Sequence, residues 1–222
     1  MNTSSFMALG IVVIIFIISI SLMIFAPRSN NFYKAEIFPG LSDAYERDKK
    51  LIEDSFNEIK ERDEWLEYPD KENIQGKCDI WPLYMFNVTS DSRVRDIDDL
   101  YSSISRIPDV KTCAFITLDG NSTIKKRRQW KYLNNTLRCM MIIKSPDYLE
   151  ESCGIWVNGE IKKILTEEIM IFDATKEHSI YNRTSKPLHI LAIDIERPKK
   201  TGKGSSDRPF TDEIYEFIQK LV

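Results

Sequence analysis

The sequence predicts a mainly β domain, a sandwich or barrel, held behind a single membrane-spanning helix. Three observations lead there. Residues 6–25 (FMALGIVVIIFIISISLMIF) carry no charged side chain, and at about 1.5 Å per residue such a run covers a hydrocarbon core. Five short β-branched or apolar runs, 113–118, 137–143, 153–159, 168–174 and 188–195, are separated by turn residues at Asp119-Gly120, Ser145-Pro146-Asp147, Asn158-Gly159 and Asn182. That spacing is characteristic of all-β sandwiches and barrels. Finally, 42% hydrophobic and 11% aromatic residues with only 8 Gly and 9 Pro exclude a disordered or low-complexity chain. A length of 222 residues leaves room for one ordinary domain behind the anchor.

Nothing basic precedes the apolar run, and it ends in Met23-Ile24-Phe25-Ala26-Pro27 without a small-x-small exit. It therefore reads as an uncleaved anchor, not a signal peptide. Orientation draws opposing signals. Arg28 and Lys34 follow the span, which by the positive-inside rule favours a cytoplasmic domain. In the part that follows the span, Asn-x-Ser/Thr acceptors at Asn87, Asn121, Asn134 and Asn182 favour a lumenal or exterior one. The four acceptors outweigh two basic residues, so the expectation is a single-pass protein of the secretory pathway or a virion membrane, its domain lumenal or exterior. Cys78, Cys113, Cys139 and Cys153 permit two disulfides in three pairings in that setting, with buried free thiols as the alternative. No Cys-x-x-Cys or Cys/His cluster points to zinc. The net charge of −3 argues against a nucleic-acid partner.

The remaining elements follow in order. Residues 27–42 form a linker broken by Pro27, Pro39 and Gly40. From 43 to 66 apolar residues recur at helical spacing (Leu51, Ile52, Phe56, Ile59, Leu66), with Ser42 or Asp43 as cap. This segment is either a stalk or a helix packed on the domain. A second helix is expected over 96–107, and a third over 212–221 behind Thr211. The basic run 125–128 (KKRR) reads as a solvated loop, or else as a contact for anionic lipid or an acidic partner. The expected layout is an anchor (1–26), a linker and helical stalk (27–75), a β domain (76–200), and a loop with a terminal helix (201–222).

Two histidines in the chain restrict the chemistry. There is no Gly-x-Ser-x-Gly for a hydrolytic triad and no glycine-rich phosphate loop. Residues 172–182 (FDATKEHSIYN), followed by LHILAIDIERP at 188–198, resemble the aspartyl/asparaginyl β-hydroxylase family. Phe172, Asp173, Glu177, His178, Asn182, Asp194 and Pro198 hold the places of its motif. The likeness continues upstream through residues 134–138 (NNTLR), 153–155 (CGI), 158–160 (NGE), Ile107-Pro108 and Trp81, and so covers about 80–198 with a short insertion near 145–152. The resemblance implies a double-stranded β-helix, a jelly-roll or cupin-like domain with flanking helices, that normally holds Fe(II) and 2-oxoglutarate. It implies iron bound by two histidines, the second being His178. The position of the first is taken by Gln129. Arg138 matches a cofactor-pocket arginine, Met140 stands where a histidine touches 2-oxoglutarate, and Leu188 stands where an arginine pairs with its distal carboxylate. His189 neighbours Leu188 but faces the other side of its strand.

A buried ligand carboxylate without its cationic partner costs roughly 3–5 kcal/mol, and one imidazole with an amide oxygen makes a poor iron site. The expectation is therefore a catalytically degenerate membrane protein, without a bound cofactor, that binds a protein partner or serves assembly. A chain rich in Ile, Asn and Lys suits an AT-rich genome such as that of a large DNA virus. The alternative is an active Fe(II)/2-oxoglutarate hydroxylase of Asp or Asn side chains in lumenal proteins.

Overall fold

The computed structural model describes residues 14–16, 29–146 and 152–221. The expected anchor at 6–25 therefore lies outside the described residues, apart from helical residues 14–16. Among the described residues no helix is long and apolar enough to cross a membrane.

Thirteen strands among the described residues form two antiparallel sheets. In chain order they are β1 (Phe32–Tyr33), β2 (Leu66–Glu67), β3 (Ile74–Gln75), β4 (Cys78–Met85), β5 (Val88–Thr89), β6 (Val110–Leu118) and β7 (Ser122–Arg127), then β8 (Thr136–Lys144), β9 (Cys153–Val157), β10 (Glu160–Lys163), β11 (Ile169–Phe172), β12 (His178–Asn182) and β13 (Leu188–Glu196). The larger sheet runs β1-β11-β8-β13-β6-β4-β2, with β5 on β4, and the smaller runs β10-β9-β12-β7-β3. From β6 to β13 the chain crosses between sheets at every step except the β9–β10 hairpin. This interleaved order is that of a jelly roll.

Alternation along the strands explains the two layers. Leu188, Ile190, Ala192 and Asp194 of β13 face the space between the sheets, as do Arg138, Met140 and Ile142 of β8. Leu191 and Ile193 face the other way, with Cys139, Met141 and Phe115. That second face is covered by α1 (Leu41–Ile59), the turn α2 (Asp91–Val94) and α3 (Asp98–Ile104), through Tyr45, Ile52, Phe56, Ile59, Val94, Leu100 and Ile104. Burial on both faces is why the strands of the larger sheet read as near-continuous apolar runs. The first helix is thus packed on the domain and is not a stalk. It begins after Gly40, which holds the cap position in place of Ser42 or Asp43 at a left-handed φ of 77° that glycine tolerates. The last helix, α4 (Asp212–Gln219), begins behind Thr211, whose side chain makes no capping bond. Phe217 and Leu221 join the cluster between the sheets.

Two expectations need correction. Residues 125–127 belong to β7, not to a solvated loop, and Arg127 points inward and is buried, while Lys125, Lys126 and Arg128 are exposed. The cysteines do not form two disulfides. Cys78, Cys113 and Cys139 are buried free thiols, and Cys153 donates from Sγ to Asn182 Oδ1 at 3.2 Å. Cys113 and Cys139 flank Ile193 from opposite neighbouring strands, two strand spacings or about 9.5 Å apart, beyond disulfide reach. Burial pushes the Cys139 thiol up to about 12 and raises Cys78 and Cys113 as well.

Candidate functional site

The expected site residues converge between the sheets, where β7, β8, β12 and β13 present their inward side chains. His178 opens β12 opposite Arg127 of β7 and Val157 of β9. It is fully buried, its Nδ1 lies 3.0 Å from Lys176 O, and Nε2 has no partner among the described residues. Burial, followed by the charge of Arg127, pushes its pKa down to about 3, so the ring is neutral. Gln129 follows β7 with its backbone N–H bonded to Ala174 O at 2.8 Å. Its Oε1 is likewise buried and unpartnered, as is Trp130 Nε1.

The arginines are engaged inside the protein. Arg138 Nε and Nη2 donate to Asp194 Oδ1 and Oδ2 at 2.9 and 2.7 Å, and Thr112 Oγ1 donates to Oδ2 at 2.6 Å. This bidentate geometry is the strong form of an arginine–carboxylate pair. Arg127 donates to Asp70 and to Tyr68 Oη. Asp70 also receives Arg208 Nη1 and Nη2 at 2.9 and 2.8 Å and Asn73 Nδ2 at 2.8 Å. Burial would raise the Asp70 pKa, but the bonds from Arg208 and the charge of Arg127 hold it well below the usual carboxylate range. Arg197 pairs with Asp173 and bonds Thr136 O, tying the end of β13 to the end of β11. The sequence singled out Asp173 and Asp194 as motif landmarks without their partners. It missed Asp70, Tyr68 and Arg208, whose contacts cross 57 to 138 residues.

Met140 and Leu188 fill the interior, both 1% exposed or less. A space of about 20 Å³ lies beside Arg138, Gln129 and Trp130. His189 faces the helical side, with Nδ1 3.1 Å from Thr117 Oγ1 and its ring 4.5 Å from that of Phe56. Among the described residues no group of three or more His, Cys, Asp or Glu side chains could hold a metal ion.

The glycosylation candidates separate by burial. Asn87 and Asn121 are exposed in turns at φ 70° and 55°. Asn134 is half-buried and bonded through both amide atoms to Ser206. Asn182 is not an available acceptor: it is 1% exposed, and its Nδ2 donates to Leu118 O, Asp119 O and Lys186 O.

Solved structures similar to this chain include a protein described as a predicted oxalate decarboxylase from Thermotoga maritima (14% identity, TM-score 0.41, covering 60% of this chain and 91% of that one). Others are a cupin-2 domain of Rhodospirillum rubrum (10%, 0.39, 71% and 88%) and the Cnp3 cupin domain of Schizosaccharomyces pombe (9%, 0.36, 56% and 68%). No curated protein matches the chain in sequence. The family model for aspartyl/asparaginyl beta-hydroxylase matches residues 46–198, which contain the strands from β2 to β13 and all the motif residues around His178. The chain belongs to the aspartyl/asparaginyl β-hydroxylase family.

Proposed function

We propose that this protein is a catalytically degenerate member of its family, anchored in a membrane by residues 6–25 with its domain lumenal or exterior. It works by binding a protein partner or by assembly, not by oxidation. One observation carries this reading: Gln129 stands where the resemblance implies the first iron histidine, so the buried site offers a single imidazole, His178. Met140 and Leu188, both buried, likewise stand where the resemblance implies polar cofactor contacts.

The residues present do not fit iron and 2-oxoglutarate. His178 Nε2 is a suitable neutral donor, but the second imidazole is replaced by Gln129, a poor donor for ferrous iron. Met140 and Leu188, both buried, offer a five-carbon keto-dicarboxylate no polar contact. Replacing polar pocket groups by apolar ones stabilises the packed domain instead.

The test is turnover. Full-length protein supplied with Fe(II), ascorbate, 2-oxoglutarate and Asp- or Asn-containing peptides is expected to form no succinate above the protein-free rate. Succinate formation abolished by His178→Ala would overturn the reading. The active-hydroxylase alternative has one observation in its favour, the unpartnered Nε2 of His178, and that assay decides between them.

A further inference from the structure

We propose that the outer face of the smaller sheet rests on anionic lipid headgroups of the membrane that holds residues 6–25; the inference rests on the anchored reading above. The larger sheet has its outer face covered by α1 and α3, whereas among the described residues no helix covers the smaller one. Strand register places Ile161, Trp156 and Ser179 in one row across that face, and Lys163, Gly154, Tyr181 and Thr123 in the next. Ile161 is 61% exposed. Lys126 Nζ stands 3.9 Å from the centre of the Trp156 ring, and the Arg183 guanidinium 4.6 Å from that of Tyr181. The Tyr181 ring lies so close across Gly154 that a Cβ there would sit 2.4 Å from Oη. Aromatic rings, an exposed aliphatic side chain and cations on one open face match the headgroup layer, where Trp and Tyr settle and Lys and Arg meet lipid phosphates. Among the described residues the exposed acidic groups nearby include Glu160, Glu177 and Glu72, and Asn31 Nδ2 engages Glu160 at 3.2 Å.

The point of chain entry supplies the occupant. Lys176 Nζ bonds Ser29 O at 2.6 Å and Asn31 Oδ1 at 3.0 Å, and Lys162 Nζ stands 4.6 Å over the Phe32 ring. The chain therefore joins the domain beside β10 and the start of β12. Only four residue steps separate Phe25 from Ser29, at most about 14 Å of extended chain. So short a tether holds β10 close to the headgroups, where charges act over about 8 Å at physiological salt. Electrostatics then turns the basic, aromatic face toward the lipid. The leaflet is the one on the domain's own side, lumenal or exterior in the reading above, and the inference requires that this leaflet carry anionic lipid.

The experiment uses full-length protein in nanodiscs of phosphatidylcholine alone or mixed with phosphatidylserine, with lipids brominated near the headgroup. Quenching of Trp156 is expected in the anionic discs and much less in the neutral ones, and Trp156→Phe should remove it, since Trp81 and Trp130 are buried and the half-buried Trp65 packs on the helical side of the larger sheet. Each of Lys126→Gln, Lys163→Gln and Arg183→Gln should weaken the lipid-bound state of the face about fivefold, the equivalent of about 1 kcal/mol per cation. Protein that enters the discs but shows no Trp156 quenching, or equal quenching in both lipids, overturns the proposal while leaving the anchor intact. Shielding of Trp156 only on addition of an acidic protein would assign the face to that partner and also overturn it. Failure to co-elute with the discs would overturn the anchored reading itself, and the lipid-facing sheet with it.

Discussion

Asp194→Ala tests whether Arg138 serves the fold or awaits a ligand. Both side chains are nearly inaccessible, and the pair has two direct bonds plus the Thr112 hydroxyl. Removing the carboxylate leaves a guanidinium buried without a counter-charge, which costs roughly 3–5 kcal/mol. Against a total stability on the order of 5–15 kcal/mol, that is a large fraction. Arg138→Met alone leaves Asp194 with the Thr112 donor and a route to protonation, so its cost is smaller, about 1–3 kcal/mol. The double variant Asp194→Leu/Arg138→Met removes both charges and should return to within about 1 kcal/mol of the parent. Urea unfolding followed by tryptophan fluorescence measures all three against the parent, and the cycle isolates the coupling. Two single variants each within about 1 kcal/mol of the parent, with no recovery in the double, would refute the reasoning.

Three further outcomes are expected. The Asp70 carboxylate has a depressed pKa in the folded state, so its stabilising contribution is complete above the ordinary carboxylate value near ~3.9 and is lost as pH falls below it. Urea midpoints between pH 6 and pH 3 should therefore drop more steeply for the parent than for Asp70→Asn, and equal slopes would contradict the node with Arg127 and Arg208. Cys78, Cys113 and Cys139 should resist a thiol reagent in the native protein and react at once in guanidinium; rapid native labelling or a disulfide found by mass spectrometry would oppose this. Asn182→Ala removes an amide that ties three carbonyls together and should cost about 2–4 kcal/mol by chemical unfolding, whereas Asn121→Gln, exposed but at φ 55°, should cost no more than about 1 kcal/mol.

What the sequence made legible follows from how local each signal was. The apolar runs at 113–118, 137–143 and 188–195 became β6, β8 and β13 because two buried faces leave an unbroken hydrophobic record. The helical spacing of Ile52, Phe56 and Ile59 likewise survived as α1, one residue class facing the sheet. β7 was missed because Lys125, Lys126 and Arg128 surround Arg127, and a charged run gives no hint that one of its members is buried. β4 was missed because Pro82 interrupts an otherwise strand-like run; it sits there at the register shift opposite β6. At the site, Gln129, Arg138, Met140, His178 and Leu188 could be named from the family resemblance. The Asp194 pairing and the Asp70 node could not, since such contacts join residues 56 to 138 positions apart and leave no local pattern. Disulfides were expected from an even cysteine count in a secretory setting, but only strand placement shows that Cys113 and Cys139 stand too far apart.

The most direct measurement of the central claim is calorimetric titration of the full-length protein with Mn(II) under anaerobic conditions, with and without 2-oxoglutarate. A site with one imidazole, Gln129 in place of the second, and buried Met140 and Leu188 in place of polar cofactor contacts should give no heat of binding for either component and no effect of one on the other. Micromolar binding in which metal and 2-oxoglutarate depend on each other, and which disappears in His178→Ala, would contradict the degenerate-site account.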